Sequence, residues 1–369
     1  MKNKRRRLRE AKAEMLAKKR RLKRRKRIVF LLIEMFLLLI LLGAVYAVQK
    51  FEKIQSSSYD SNEIETNEGV EQEGYTTVAL FGGDSREGHL EAGAHADTMM
   101  IVSINNKTKD VRIASVYRDT PMRQKDGEIL KANSAYFMGG PQEAINMLNR
   151  NLDLDIKDYA TVDFSAMAVA IDMLGGLELD VSEEEAAEMN RHIGDTAKVT
   201  GKEAIHVSAG TQVLDGVQSV TYSRIRKNVG GDYMRTERQR IVIGKIVEKV
   251  KKADLTTIND IIDAVFEKVS TSFTMSEVIK LAAGVMQYDI KGNSGFPFEK
   301  IDGKIDGVGS VVVPLGMVEN VEELHEFLYP SEEYQPSETI HSIAADIEYL
   351  TGFTRADYIE PENNNLDGQ

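Results

Sequence analysis

An α/β domain, with a mixed, largely antiparallel central sheet, helices on both faces and one transmembrane helix ahead of it, is what the 369-residue sequence predicts. Three observations carry that expectation. The apolar run IVFLLIEMFLLLILLGAVYAV, residues 28–48, is close to the roughly 20 residues that cross a bilayer core. The runs YTTVALFG, TMMIVSI and DVRIASVY then follow close together, β-branched and apolar, each of strand length. After them, helical periodicity and further short strands continue to about Pro330.

The N-terminal residues set the topology. The first 27 hold sixteen Lys or Arg and two Glu, so the net charge of −11 conceals a basic tip on a strongly acidic body. An acidic body argues against nucleic-acid binding, because neutralising phosphates takes a broad cationic surface. A cationic run directly before an apolar span places residues 1–27 in the cytoplasm, against anionic lipid, and everything after Val48 outside the cell membrane. The span is longer than the core of about 7 to 15 residues in a cleaved signal, so the expectation is an uncleaved single-pass anchor. Residues 49–74, polar and acidic, read as an extracellular stalk. The globular domain is expected at 75–330, and 331–369 reads as an acidic tail with one short helix from about Ile340 to Leu350. Cysteine is absent, which excludes a disulfide framework and a thiolate metal site.

Beyond the first strands, PQEAINMLNRNL and FSAMAVAIDMLGG carry apolar residues at helical spacing, the first opened by Pro141 and the second closed by glycines. YATVDF and LELDV are short strands. RQRIVIGKIVEKVKK, TINDIIDAVFEKV and MSEVIKLAAGVMQ are helices, and SVVVPL is the final strand.

Charged residues converge on one edge of this scheme. As an antiparallel meander, the first strand ends at Asp84 and Arg86, the second begins at Asp97, and the third finishes at Arg118 and Asp119. The stretch TYSRIRKNVGGDYMRTERQR adds to it. An extended YSRIR sends Arg224 and Arg226 to one side, and GGD supplies a turn and an N-cap at Asp232. The helix that follows has the stripe Ile243, Ile246 and Val250, and stepping it backwards brings Gln239 and Arg235 inward while Lys227, Arg238 and Arg240 fall on the surface. An inward Arg at a helix N-terminus is costly without an anion, which suits phosphate or pyrophosphate. Asp84 and Asp97 suit a hard cation such as Mg²⁺ that bridges phosphate oxygens, the arginines offsetting the remaining charge. Other motifs fall short: His89 and His95 lack zincin spacing, FGGDSREG lacks the P-loop Lys, and Ser85 has neither a G-x-S-x-G elbow nor an obvious His partner.

In order, LFGGDSR, ADTMMIVSINNKTKDVRIASVYRD, KANSAYFMGG, VDFSAMAVAIDMLGGLELDV and LDGVQSVTYSRIRKNVGGDYMRTERQ resemble the successive blocks of the LytR-CpsA-Psr family of cell-wall proteins, over about residues 75–250. The resemblance implies transfer of a glycopolymer such as teichoic acid or capsule from a polyprenyl pyrophosphate carrier to peptidoglycan in a Gram-positive-type envelope, forming a phosphodiester. It implies Mg²⁺, with the lipid tail in an apolar tunnel between sheet and helices. Asp84 and Asp97 would lie at the metal and Arg118 at a phosphate, while Lys131, Arg224, Arg226, Asp232, Arg235 and Gln239 complete the head-group site beside Arg86. Asp97 or Asp232 would take the acceptor's proton. Two departures stand out: His95 replaces a common Arg, and Tyr117 replaces a common Pro. A pyrophosphatase that uses water as acceptor, and a non-enzymatic regulator or scaffold that senses lipid-linked intermediates, are the alternative readings.

Overall fold

A computed structural model describes residues 59–357, apart from 84–89, 91–92, 94–95, 266–267, 275–276, 278–280 and 282–283. The basic tip, the apolar span at 28–48, and the site residues Asp84 and Arg86 lie outside the described residues, as does most of MSEVIKLAAGVMQ. Among the described residues no helix is long and apolar enough to cross a membrane.

Strands β1 (Tyr75–Gly83), β2 (Ala96–Asn105) and β3 (Asp110–Val116) form the expected antiparallel meander. Their side chains alternate between two cores: Ala79, Phe81, Met99 and Ile101 face one, and Leu80, Met100, Val102 and Ile104 the other. A hairpin of β4 (Pro121–Arg123) and β5 (Ile129–Lys131) leads into α1 (Asn133–Leu152). Gly139 and Gly140 break that helix, Gly140 at φ 66°, and Pro141 restarts it where the missing N–H costs nothing. Next come β6 (Asp158–Asp163), parallel to β1, and α2 (Phe164–Met173), capped by Asp163.

The middle of the chain departs from the expectation. β7 (Leu177–Val181) and β8 (Gly210–Leu214) pair only with each other. Between them runs α3 (Glu183–Thr200), opened by a capping box of Ser182 and Glu185. A second box, Asp215 with Gln218, starts α4 (Gly216–Tyr222). The YSRIR stretch is therefore no strand: Tyr222 ends the helix and Ser223–Arg224 form a turn, so Arg224 and Arg226 do not share a pleated face. Then follow α5 (Gly231–Val250), α6 (Leu255–Val265), β9 (Val269–Thr271), β10 (Asp289–Phe296), the hairpin of β11 (Lys300–Ile305) and β12 (Gly309–Pro314), α7 (Met317–Leu328) and α8 (Glu338–Thr351).

The central sheet has the order β10-β3-β2-β1-β6-β9, with β10–β3 and β1–β6 parallel and the other pairs antiparallel. Helices α1, α7 and α8 cover one face, and α2, α5 and α6 the other. The mixed α/β class with helices on both faces is thus observed. SVVVPL lies outside this sheet, in the β11–β12 hairpin.

Two segments that the sequence sets apart pack onto the domain. Tyr59 packs tilted against Tyr159, ring centroids 5.4 Å apart, and donates to the Lys157 carbonyl, and the Glu65 N–H donates to Asn146 at 2.9 Å. Residues 59–74 are therefore no stalk. They lack apolar periodicity because side-chain amides on α1, not a buried stripe, hold them. Residues 331–357 are no tail either: Ile340, Ile343, Ala344 and Ile347 of α8 enter the main core, each worth about 1.5–3 kcal/mol for the larger side chains. Both segments meet at Asp153, fully buried, which accepts from Asn67, from the Tyr334 hydroxyl at 2.6 Å and from the Ser337 N–H at 2.8 Å.

Candidate functional site

The β1–β2 register slips at its end: Gly82 pairs with Thr98 but Gly83 with Ala96, which leaves Asp97 as the extra residue of a bulge. Gly82 makes this possible, since a Cβ there would lie 2.9 Å from the Thr98 Cβ. Past the end of β3, Arg118 sits in a turn whose carbonyls are claimed by neighbours, Arg118 by the Asn133 N–H at 3.1 Å and Asp119 by the Val312 N–H at 3.0 Å. Gly230, in the left-handed region at φ 84°, and Gly231 reverse the chain into α5. The N-cap is Gly230, so Asp232 lies inside the first turn and its carboxylate is free to act elsewhere than as a cap. One turn on is Arg235, 2% exposed, with Gln239 buried beyond it as the helical stripe requires.

These side chains meet. Arg118 Nη1 is 2.6 Å from Asp97 Oδ1, and its Nε is 3.6 Å from Asp119 and 3.8 Å from Asp232. Arg235 Nη2 lies 2.9 Å from Asp232 Oδ1 and donates to the Asp97 carbonyl at 3.3 Å. Arg226 reaches within 4.0 Å of Asp232, and Lys131 pairs with Asp119 at 3.0 Å. Four cations thus interleave with three carboxylates. Three buried atoms in this cluster, Arg118 Nε, Arg235 Nε and Asp232 Oδ1, have no aligned hydrogen-bond partner. Orphaned polar atoms of both signs are what a site made for a further polar ligand leaves open.

Burial would raise the Asp97 carboxyl, but Arg118 and Arg235 outweigh it and hold the group below the usual carboxylate range. Arg235 shows the opposite balance: burial, with Arg226 and Arg118 nearby, brings it down to about 10 despite Asp232. A guanidinium in that position gains from a second anion. Among the described residues no group of three or more His, Cys, Asp or Glu could hold a metal ion. What is present toward Mg²⁺ is the ionised Asp97 carboxylate, a hard oxygen donor, and Mg²⁺ commonly takes only one or two carboxylates beside substrate phosphate oxygens.

Arg224 stacks 4.8 Å over the Phe164 ring. Gln239, Ser223 and Phe164 border an apolar cleft of about 230 Å³ between the sheet and α2, α5 and α6, lined by Leu80, Met100, Val242 and others. Gln239 therefore stands where polar and apolar regions adjoin. Two surface assignments fail. Arg238 is 2% exposed: its Nε lies 2.7 Å from Glu185 Oε1, and Nη2 and Nη1 donate to the carbonyls of Val229 and Ile225 at 2.7 and 3.4 Å. It clasps both ends of the loop that carries Arg226, because α3 packs over a face of α5 that the stripe count left to solvent. Arg240 is half-buried, bonded to Asn293 at 3.0 Å. Asp119 was missed as a site residue, although its place beside Arg118 was the signal for it.

The model of the LytR_cpsA_psr family matches residues 41–322. Among curated relatives, a polyisoprenyl-teichoic acid–peptidoglycan teichoic acid transferase TagV of Bacillus subtilis is 27% identical over 212 residues, covering 56% of this chain and 50% of the relative. A Biofilm regulatory protein A of Streptococcus mutans is 28% identical over 212 residues, covering 54% and 50%. The chain thus spans about half the length of these relatives. Of solved structures, protein gbs0355 from Streptococcus agalactiae aligns with a TM-score of 0.61 at 20% identity, over 74% of this chain and 92% of that one. The LytR-CPS2A-psr family protein YwtF (TagT) with bound octaprenyl pyrophosphate lipid aligns at 0.50 and 19%, over 74% and 93%. These structural likenesses establish the fold.

Proposed function

The chain belongs to the LytR-CpsA-Psr family, and from that premise we propose that it is a membrane-anchored phosphotransferase that moves a glycopolymer from a polyprenyl pyrophosphate carrier to peptidoglycan outside the cell membrane. One observation carries the reading: interleaved arginines and carboxylates with orphaned polar atoms, next to an apolar cleft bordered by Gln239. Arg118, Arg226 and Arg235 hold the pyrophosphate, and the cleft takes the first isoprene units. The names of the TagV relative and of the lipid-bound YwtF structure support both the reaction and the ligand class.

The acceptor hydroxyl oxygen attacks the phosphorus nearer the glycan. That P–O bond forms, the bridging P–O bond breaks, and polyprenyl phosphate leaves with the electron pair. The hydroxyl proton passes to one of the two carboxylates of the cluster, Asp97 or Asp232, each of which an arginine contacts. Arg118 and Arg235 stabilise the charge that collects on the phosphoryl oxygens. Asp97, with Asp84, would hold Mg²⁺, which supplies Lewis-acid neutralisation of that charge.

Purified protein carrying Arg118→Ala or Arg226→Ala should lose affinity for polyprenyl pyrophosphate by about ten-fold or more, as expected for removing a charge-assisted contact. Unchanged binding in both variants would sink the site. Products formed with and without peptidoglycan separate transfer from hydrolysis: polyprenyl phosphate released equally in both would favour the pyrophosphatase.

A further inference from the structure

A second pair of cations lies apart from the cluster. Arg240 on α5 donates from Nε to Asn293, Lys300 on β11 donates to the Phe298 carbonyl at 3.0 Å, and neither makes an ion pair among the described residues. Arg240 Nη1 is buried and has no hydrogen-bond partner. Lys300 Nζ stands 5.2 Å from the Tyr117 ring and 5.3 Å from that of Tyr233, two rings that meet edge to face at 5.1 Å. Gly295 makes room for Tyr117, since a Cβ there would lie 2.3 Å from its hydroxyl. Tyr233 and Arg240 recur on one face of α5, and Tyr233 directly follows Asp232, so this strip begins where the arginine–carboxylate cluster ends.

The electrostatics are those of an unfinished site. Burial lowers the Lys300 ammonium and Arg240 lowers it further, with Glu323 opposing; burial also lowers Arg240, with Tyr117 and then Glu237 opposing. Two like charges half-buried together are offset only in part by Glu237 and Glu323, so a further anion is favoured. An oxyanion would meet the free Arg240 N–H and the Lys300 ammonium, bordered by Tyr233, whose hydroxyl donates to the Asp302 carboxylate.

We propose that Arg240 and Lys300, with Tyr233 as a wall, form a second oxyanion subsite that takes a phosphate or carboxylate borne by a saccharide chain while the pyrophosphate occupies the first cluster. The placement relative to the pyrophosphate rests on the function proposed above; the subsite itself does not. Such an anion belongs either to the transferred glycopolymer or to the acceptor glycan.

The test titrates the full chain, and its Arg240→Gln, Lys300→Gln and double variants, with a glycerol phosphate oligomer, a neutral maltooligosaccharide and inorganic pyrophosphate. In the double variant, oligomer affinity should fall by about ten-fold or more, while pyrophosphate affinity stays within about two-fold. Relief of two unpaired like charges should leave the melting temperature equal or higher. The proposal is overturned if the unaltered chain does not bind the oligomer, if the neutral sugar loses affinity equally, or if pyrophosphate affinity falls in step. A drop of about 4 °C or more in both single variants would likewise overturn it, by assigning the cations to the fold. Oligomer binding that depends on Arg240 in a chain that fails to bind pyrophosphate would sustain the subsite and refute the function. In transfer assays, loss confined to a donor with a charged glycan assigns the anion to the donor, and loss with charged and neutral donors alike assigns it to the acceptor.

Discussion

Arg238 shows how a single side chain can prepare a site it does not enter. Its fork joins Glu185 on α3 to the carbonyls of Ile225 and Val229, and between those carbonyls lies Arg226. Arg238→Ala should cost about 3–5 kcal/mol, the penalty for breaking a buried ion pair, and should speed amide exchange at residues 226–231. Lysine should not rescue it, because an ammonium cannot span a carboxylate and two carbonyls in one plane. Equal exchange in the variant would show that the clasp does not order the loop. Asp97 predicts a pH effect. Its folded pKa lies below the ordinary carboxylate value, so its contribution to stability is complete above that ordinary value and is lost as pH falls through the depressed one. Asp97→Asn should flatten the acid limb of a stability-against-pH curve. The sequence foretold that Arg235 and Gln239 point inward, because one helix period decides that. It misplaced Arg238, because burial there depends on a helix far away in the chain.

At the level of elements, the meander was legible because each strand alternates and polar turns separate the strands, which local sequence alone determines. The bulge that exposes Asp97 was not legible: it follows from how closely Gly82 approaches Thr98 across the ladder. YSRIR misled because its residues suit a strand, whereas the preceding Asp215–Gln218 box and the packing of Val217 and Val220 commit the stretch to α4. That helix sits close to α2. A Cβ on Gly216 would lie 1.9 Å from the Ala168 carbonyl oxygen, so Gly216→Ala should destabilise by about 1–3 kcal/mol through forced backbone shifts. Gly194, exposed inside α3 with nothing within 4 Å, makes the contrast: alanine there should stabilise by about 0.5–1 kcal/mol. Urea melts of the two variants should move in opposite directions.

For the whole molecule, the domain limits were the least legible feature. Composition marks 59–74 and 331–357 as polar and acidic, yet both are fastened by side-chain hydrogen bonds and, at the second, by one amphipathic helix. Ending the chain at Pro330 would strip Ile340, Ile343 and Ile347 from the core and leave Asp153 buried without Tyr334 and Ser337. Such a chain should be insoluble or lack a cooperative thermal transition; a soluble truncation with an unchanged melt would show that α8 is dispensable. The Asp153 knot also has a mechanical consequence. A pull that enters at Tyr59 is resisted first by the Lys157 carbonyl, then by Asn146 and Asn149, and then at Asp153, where the C-terminal segment shares the load. None of these anchors touches Asp97, Arg118, Asp232 or Arg235. A tether drawn taut from that end would therefore spend its tension along α1 and leave the arginine cluster unstrained.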